Sequence, residues 1–317
     1  VNYLILTPDG VGSTYLQRAL TVYLNSAEVD YWNTHELLNG LGLSDGNLYK
    51  DFNLGYSQTL SEICGLLEST SNSLVSRIAQ YHVIGRLEDK KENYQQLYNA
   101  CNKKFDKIFY CTRDPFEYAL SWSIRQKTKL PNVYSIKQRI EFHGEDKKQD
   151  IDLDFFIAKL NQYKDYDYWV SENFKNTQPV EYDTLHNDVD TVLQNLTGCT
   201  HNVEDRFGVS LQDYSRIRYL ASKYIQTKDK QYLFDKTLAN GTIDLFKFIR
   251  DLEGSKKAVG GIPVKMNTMQ DKRSKVVNFE DAILTYNNWA KSSNQYHTTS
   301  NELIADRIYE ENLTYAN

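Results

Sequence analysis

The sequence is short of several things, and each shortage closes off a class of protein. It has 5 prolines in 317 residues, too few for a proline-rich linker or a collagen-like repeat. Its 4 cysteines, Cys64, Cys101, Cys111 and Cys199, show no CxxC spacing and no dense framework. A disulfide scaffold and a thiolate zinc site are therefore both unsupported. The cysteines read instead as buried or free thiols of a reducing compartment, which predicts a cytoplasmic protein. The chain begins with Val1 and not Met, so a removed leader or anchor stays open. The 6 histidines are scattered without an HxxxH pair, and no metal is expected. No stretch approaches the roughly 18 apolar residues of a spanning helix. Charge is nearly balanced, 37 Lys+Arg against 42 Asp+Glu for a net −5. That lacks the basic excess of a general nucleic-acid binder.

What is present is enough to build a core. Hydrophobic residues make up 40% and aromatics 13%, with 24 tyrosines, a globular composition and not a disordered one. At roughly 150 residues per domain the length suits one large domain or two small ones.

Along the chain, apolar runs alternate with helical stripes. Residues 3–8 (YLILTP) form a short apolar run ended by proline, a buried strand. After a glycine turn, Ser13–Asn25 places Leu16, Ala19, Leu20, Tyr23 and Leu24 on one helical face. Thr59–Glu68 and Asn72–Gln80 read as helices, Tyr81–Leu87 as a strand, Asn93–Lys104 as a helix and Lys107–Thr112 as a strand. Asp114-Pro115 supplies an N-cap and a first-turn proline for a helix to about Lys127. A long helix over Leu153–Asn173 precedes a strand at Pro179–Tyr182 and a helix at Val189–Leu196. Beyond residue 200 the strand signal fades, and Leu211–Ile225, Thr242–Leu252, Phe279–Lys291 and Asn301–Glu311 look helical. The alternation predicts an α/β fold: a central parallel sheet flanked by helices, with a helix-rich C-terminal part. The core is expected over 1–200, and 201–317 is expected to pack on the same domain.

Two segments have the chemistry of an anion site. In Pro8-Asp9-Gly10-Val11-Gly12-Ser13-Thr14, two glycines and two hydroxyls join the first strand to the first helix. Such a loop can wrap a phosphate with backbone N–H groups at a helix N-terminus. The lysine of a Walker A loop is missing. The plain alternative is a tight strand-to-helix turn with Ser13 as N-cap. In the second segment, an apolar strand delivers Arg113 at its carboxyl end, where open α/β sheets bind ligands. The helix after it buries Phe116, Ala119, Leu120, Ser123 and Ile124 and sets Tyr118, Ser121 and Arg125 on another face. An arginine fork with a nearby hydroxyl suits a phosphate monoester. The alternative is a surface ion pair of Arg113 with Asp114 or Glu117.

These residues resemble the sulfotransferases that use 3′-phosphoadenosine-5′-phosphosulfate (PAPS). Gly12-Ser13-Thr14 is similar to the end of the family's P-[KR]-[ST]-G-[ST]-[ST]-W loop, with Tyr15 in place of Trp. Ile84-Gly85-Arg86-Leu87-Glu88 resembles its K-x-H strand. Arg113-Asp114-Pro115 with Ser121 matches its R-[DN]-P…S element, and residues 180–185 (VEYDTL) resemble its "RYEDL" strand end. The resemblance spans about residues 3–200 and implies a P-loop-nucleotide-hydrolase-like fold. It implies PAPS as sulfate donor, adenosine 3′,5′-bisphosphate as product, and a hydroxyl-bearing acceptor on a carbohydrate, protein or small molecule.

The resemblance also implies roles. Gly10, Gly12, Ser13 and Thr14 would hold the 5′-phosphosulfate, and Arg113 and Ser121 the 3′-phosphate. Glu88 falls where the family's base sits if Arg86 stands for its lysine, with His82 and His35 as other bases. Lys256 and Lys257, in a Gly- and Lys-rich stretch, would close over the 3′-phosphate. The chain departs from the pattern at the loop cation, which is replaced by Gly10 beside Asp9. Losing one such donor costs on the order of 10²–10³ in rate. Arg18, one turn after Thr14, Arg86 and Arg125 are the sequence's candidates to supply it. The acceptor pocket is expected from residues 31–56, with Tyr31, Trp32, Tyr49, Phe52 and Tyr56, and from the region after 130. Two other classes remain open: a P-loop-type kinase or nucleotide hydrolase, and a non-catalytic binding or assembly protein on a degenerate transferase fold.

Overall fold

The computed structural model of the chain describes residues 1–8, 10–26, 31–38, 59–71, 73–80, 83, 91–128, 148–201, 203–204 and 273–293. It divides into two compact units, one of Val1–Thr112 with Tyr166–Ile262 and one of Arg113–Asp165 with Pro263–Asn317.

The first unit is built on a five-stranded sheet. Its strands are β1 (Tyr3–Thr7), β2 (Tyr31–Glu36), β3 (Ser73–Ala79), β4 (Lys107–Thr112) and β5 (Thr177–Glu181). They run in the order β2-β3-β1-β4-β5, and every pairing is parallel. β1 lies in the middle with all five residues buried. This explains why it reads as an unbroken apolar run: a strand covered on both faces has no polar side to alternate with. Helices α1 (Ser13–Asn25), α2 (Leu60–Ser69) and α3 (Lys91–Lys104) are interleaved with the strands. So the chain has the α/β architecture with a helix-flanked parallel sheet, and the glycine turn after the central strand feeds the first helix in the P-loop manner.

One face of the sheet shows Leu4, Leu6, Leu74, Ile78 and Ile108. It packs on Leu60, Ile63 and Leu67 of α2, on Leu97 and Cys101 of α3, and on Tyr166, Trp169 and Val170. Tyr3, Ile5, Val75 and Phe109 alternate to the other face, where α1 packs on β1, β2 and β3. α2 opens with a full capping box: Thr59 Oγ1 accepts from Glu62 N–H, and the Glu62 carboxylate accepts from Thr59 N–H. α2 thus has a local start signal and an apolar stripe that packs on the sheet.

The second unit is a helical cluster. It contains α4 (Pro115–Thr128), residues 153–165 of the long helix α5 (Leu153–Asn173) and α8 (Phe279–Ser293). Phe116 of α4 sits at its centre, with ring centroids 5.7 Å from Phe156, 5.8 Å from Phe279 and 5.5 Å from Tyr286. Edge-to-face geometry lets each positive ring edge meet a negative ring face. The Asn278 amide clasps the backbone of Ile151 in both directions, accepting at 2.9 Å and donating at 3.0 Å. Among the described residues, helices α6 (Tyr182–Asn187) and α7 (Val189–Thr197) follow β5.

Several sequence expectations change. Residues 72–80 are not helical: Ser73–Ala79 is strand β3, seated beside β1. Of the strand expected at 81–87, Val83 is helical and the other residues lie outside the described ones. Strand β2 was not anticipated, and Tyr182 begins a helix where a strand end was expected. Tyr31, expected in an acceptor pocket, is buried at the start of β2 with its ring 5.8 Å from Tyr3. The C-terminal helix at Phe279–Lys291 is found as α8. The helices expected at 211–225, 242–252 and 301–311 lie outside the described residues.

Candidate functional site

The sheet order points to one crevice. β1 is followed by β2 towards one edge, β4 is followed by β5 towards the other, and β1 and β4 are neighbours. Where connections leave in opposite directions, the carboxyl ends of the strands open a ligand site. Those ends are Thr7 and Thr112.

After Thr7 and Pro8 comes the glycine turn. Gly10 has φ 83° and Gly12 has φ 74°, in the left-handed region that side-chain-bearing residues avoid. The two glycines therefore bend the chain so that it enters α1 directly, with Gly12 as N-cap and no side-chain cap. Ser13 is thus the first helical residue and not the cap. Its own N–H and those of the next two residues begin the helix with no intrahelical acceptor. No acidic side chain lies in that first turn, so the positive end of the helix dipole stays uncompensated by it.

A guanidinium completes this turn. Arg77 of β3 is buried and donates from Nη1 to Ser13 Oγ at 3.4 Å and to Thr14 Oγ1. Register explains the reach. Arg77 pairs with Ile5 of β1, two residues before Thr7, and faces the α1 side of the sheet. Its charge is felt as far as β4. Burial pushes the Cys111 thiol up to about 12, and the Arg77 cation pulls it the other way. A hydroxyl that accepts from a guanidinium keeps its own hydrogen to donate. Ser13 and Thr14 are therefore held as two oriented O–H donors beside a fixed positive charge. Such an arrangement binds a tetrahedral oxyanion. The sequence candidates for a cation at this turn did not include Arg77. Its signal was a charged residue inside the apolar segment LVSRIA, since a buried charge must be paired or used. Arg18 is buried on α1, and the arginine on the two hydroxyls is Arg77.

In the second unit, Arg113 precedes α4 and is pinned twice. Its backbone N–H donates to the Tyr163 hydroxyl at 2.7 Å. Its Nη2 meets Glu117 Oε2 at 3.3 Å, with both side chains buried. Asp114 caps α4 as expected, its Oδ1 accepting from Glu117 N–H at 3.0 Å. Tyr118 is buried against Tyr163, with centroids 4.9 Å apart. Ser121 is half-buried one turn beyond Glu117. Arg125 lies over the Trp122 ring at 5.4 Å, as Lys159 does at 4.4 Å. The pairing of Arg113 with Glu117 is therefore present, but it is buried where a surface pair was expected.

The other candidates, Arg86, Glu88, His82, Lys256 and Lys257, lie outside the described residues. Among the described residues, no three His, Cys, Asp or Glu gather as a metal site would require. No described helix is long and apolar enough to cross a membrane.

No family model matches the chain, and no curated protein does. Among solved structures, one titled "Crystal Structure of Sulfotransferase from Alicyclobacillus acidocaldarius" matches at 12% identity. It covers 74% of this chain and 94% of its own, with a TM-score of 0.36. At that identity and TM-score the match says nothing about activity.

Proposed function

We propose that this chain is a PAPS-dependent sulfotransferase, moving a sulfuryl group to a hydroxyl acceptor. The observation that supports it most is Arg77 on the Ser13 and Thr14 hydroxyls, because it supplies the cation whose absence from the loop counted against this reading. In the proposed reaction, an acceptor oxygen bonds to sulfur as the bond from sulfur to the 5′-phosphate oxygen breaks. The acceptor proton passes to a base, with Glu88, His82 and His35 as candidates. Adenosine 3′,5′-bisphosphate leaves. The gain comes from positioning and from donors set where charge develops. Gly10, Gly12, Ser13, Thr14 and Arg77 are assigned to the 5′-phosphosulfate. Arg113 and Ser121 are assigned to the 3′-phosphate, with Lys256 and Lys257 as further cations for it.

The test is ligand linkage. Adenosine 3′,5′-bisphosphate should raise the melting temperature, since a ligand at 100 times its dissociation constant adds about 2.7 kcal/mol. Arg77→Met should abolish most of the rise. No shift at millimolar ligand would sink the proposal.

A second reading has one observation in its favour. The buried pair of Arg113 with Glu117 is what a structural arginine would make, and it suits a non-catalytic protein on this fold. Wild-type binding of the bisphosphate that is unchanged by Arg113→Ala, with no sulfate transfer to any hydroxyl, would favour it. A kinase reading has no loop lysine to rest on, and ATP-dependent stabilisation requiring Mg²⁺ would revive it.

A further inference from the structure

Gln80 follows Ala79, the last residue of β3, and Ala79 pairs with Thr7 of β1. The residue therefore sits at the same carboxyl edge of the sheet as the glycine turn, three positions after Arg77. It is 1% exposed, and among the described residues neither its Oε1 nor its Nε2 has a hydrogen-bond partner. A carboxamide has two donors and one strong acceptor to satisfy, and no described protein group satisfies those of Gln80. An apolar side chain of the same shape would suit the fold better, because a buried polar group without partners weakens it. Native interiors leave few such groups, and each one calls for an explanation, a bound ligand among them. Gln80 stands where parallel sheets bind ligands, inside the first unit.

The chemistry of the amide narrows the ligand. A sulfate or phosphate only accepts hydrogen bonds, and its oxygens would face Oε1 with like partial charge. The amide matches a neutral partner that donates and accepts side by side, as neighbouring hydroxyls do. We propose that Gln80 is the acceptor-reading residue of this chain. Nε2 donates to one hydroxyl oxygen, Oε1 accepts from the hydroxyl beside it, and the acceptor is a neutral polyol or sugar. Naming that ligand the acceptor rests on the sulfotransferase reading.

Gln80→Leu separates the possibilities in the full chain. The variant should melt at or above the wild-type temperature and bind adenosine 3′,5′-bisphosphate within twofold of wild type. Methyl β-D-glucopyranoside, used as a neighbouring-hydroxyl probe, should perturb the Gln80 side-chain amide resonances of the bisphosphate-saturated wild type. The leucine variant should bind it at least tenfold more weakly. A lower melting temperature for Gln80→Leu would make the amide structural and overturn the proposal. A tenfold loss of bisphosphate affinity would move Gln80 to the donor site and overturn it too. So would a wild type that binds p-nitrophenol but not the glucoside, or binds neither. If wild type ignores the bisphosphate and still binds the glucoside through Gln80, the sulfotransferase reading fails and the polyol site stands.

Discussion

Arg113 and Glu117 form a buried ion pair at 3.3 Å, with side chains 6% and 7% exposed. It joins Arg113, two positions before α4, to the helix's first turn, where a carboxylate is favoured by the dipole. Both charges are taken out of water, and the contact between them offsets part of that desolvation. Glu117→Ala leaves the guanidinium buried without its carboxylate and should cost about 3 kcal/mol in urea unfolding. The double variant Arg113→Met/Glu117→Leu should lose less than Glu117→Ala alone, because two apolar groups need no partner. Equal losses would show that the buried guanidinium left by Glu117→Ala carries no penalty of its own.

Gly12 is the second test of the glycine turn. With φ 74°, Gly12→Ala should lower stability by about 1–2 kcal/mol, and Gly12→Asn should lower it less, since asparagine tolerates that region. Both should weaken binding of the bisphosphate. Urea unfolding with and without ligand reads the two effects separately.

The thiols give a test that needs no ligand. Cys64, Cys101 and Cys111 are buried, and Cys199 is exposed. The Cys111 thiol is pushed up to about 12 by burial despite the Arg77 cation. At pH 8 only ~10⁻⁴ of it is thiolate by the titration relation, and burial also blocks reagent access. A disulfide thiol reagent should therefore release one equivalent from the folded protein, and four after denaturation. Fast release of two or more from the folded chain would contradict the burial of Cys64, Cys101 or Cys111.

Tyr166 ties the two central strands together from one face. Its hydroxyl donates to Leu6 O at 3.0 Å and Cys111 O at 3.2 Å, near the carboxyl ends of β1 and β4. Tyr166→Phe keeps the ring and removes the link, and should cost about 1–2 kcal/mol. A thermal unfolding midpoint equal to wild type would show that the hydroxyl bonds carry no net stability.

Where the chain order of local signals carries the structure, the sequence is legible. The YLILT strand, its glycine turn and α1 can be read directly, as can KIFYCT with its Asp114 cap and Pro115 start. Each is a contiguous pattern with its own start and stop. The stretch 73–79 is legible only in part. Leu74, Val75 and Ile78 fall at helical spacing, and Ser76 and Arg77 look like a polar face. In the sheet that spacing means something else, because β3 is covered on both sides and six of its seven residues are buried. A strand with no solvent face has no alternation to read.

The scarcity of proline, of paired cysteines and of surplus charge, together with the order of strands and helices, determined the class: an α/β chain with a glycine turn after its first strand. Those properties depend on residues near one another in sequence. Only the tertiary structure decided which cation serves that turn. Arg77 lies 64 positions from Ser13, and no local pattern links them. They meet because β3 pairs parallel to β1 in one register, which sets the guanidinium at the N-terminus of α1. Strand pairing joins distant segments through backbone hydrogen bonds that every sequence shares, so the partner and the register appear only once the sheet is built.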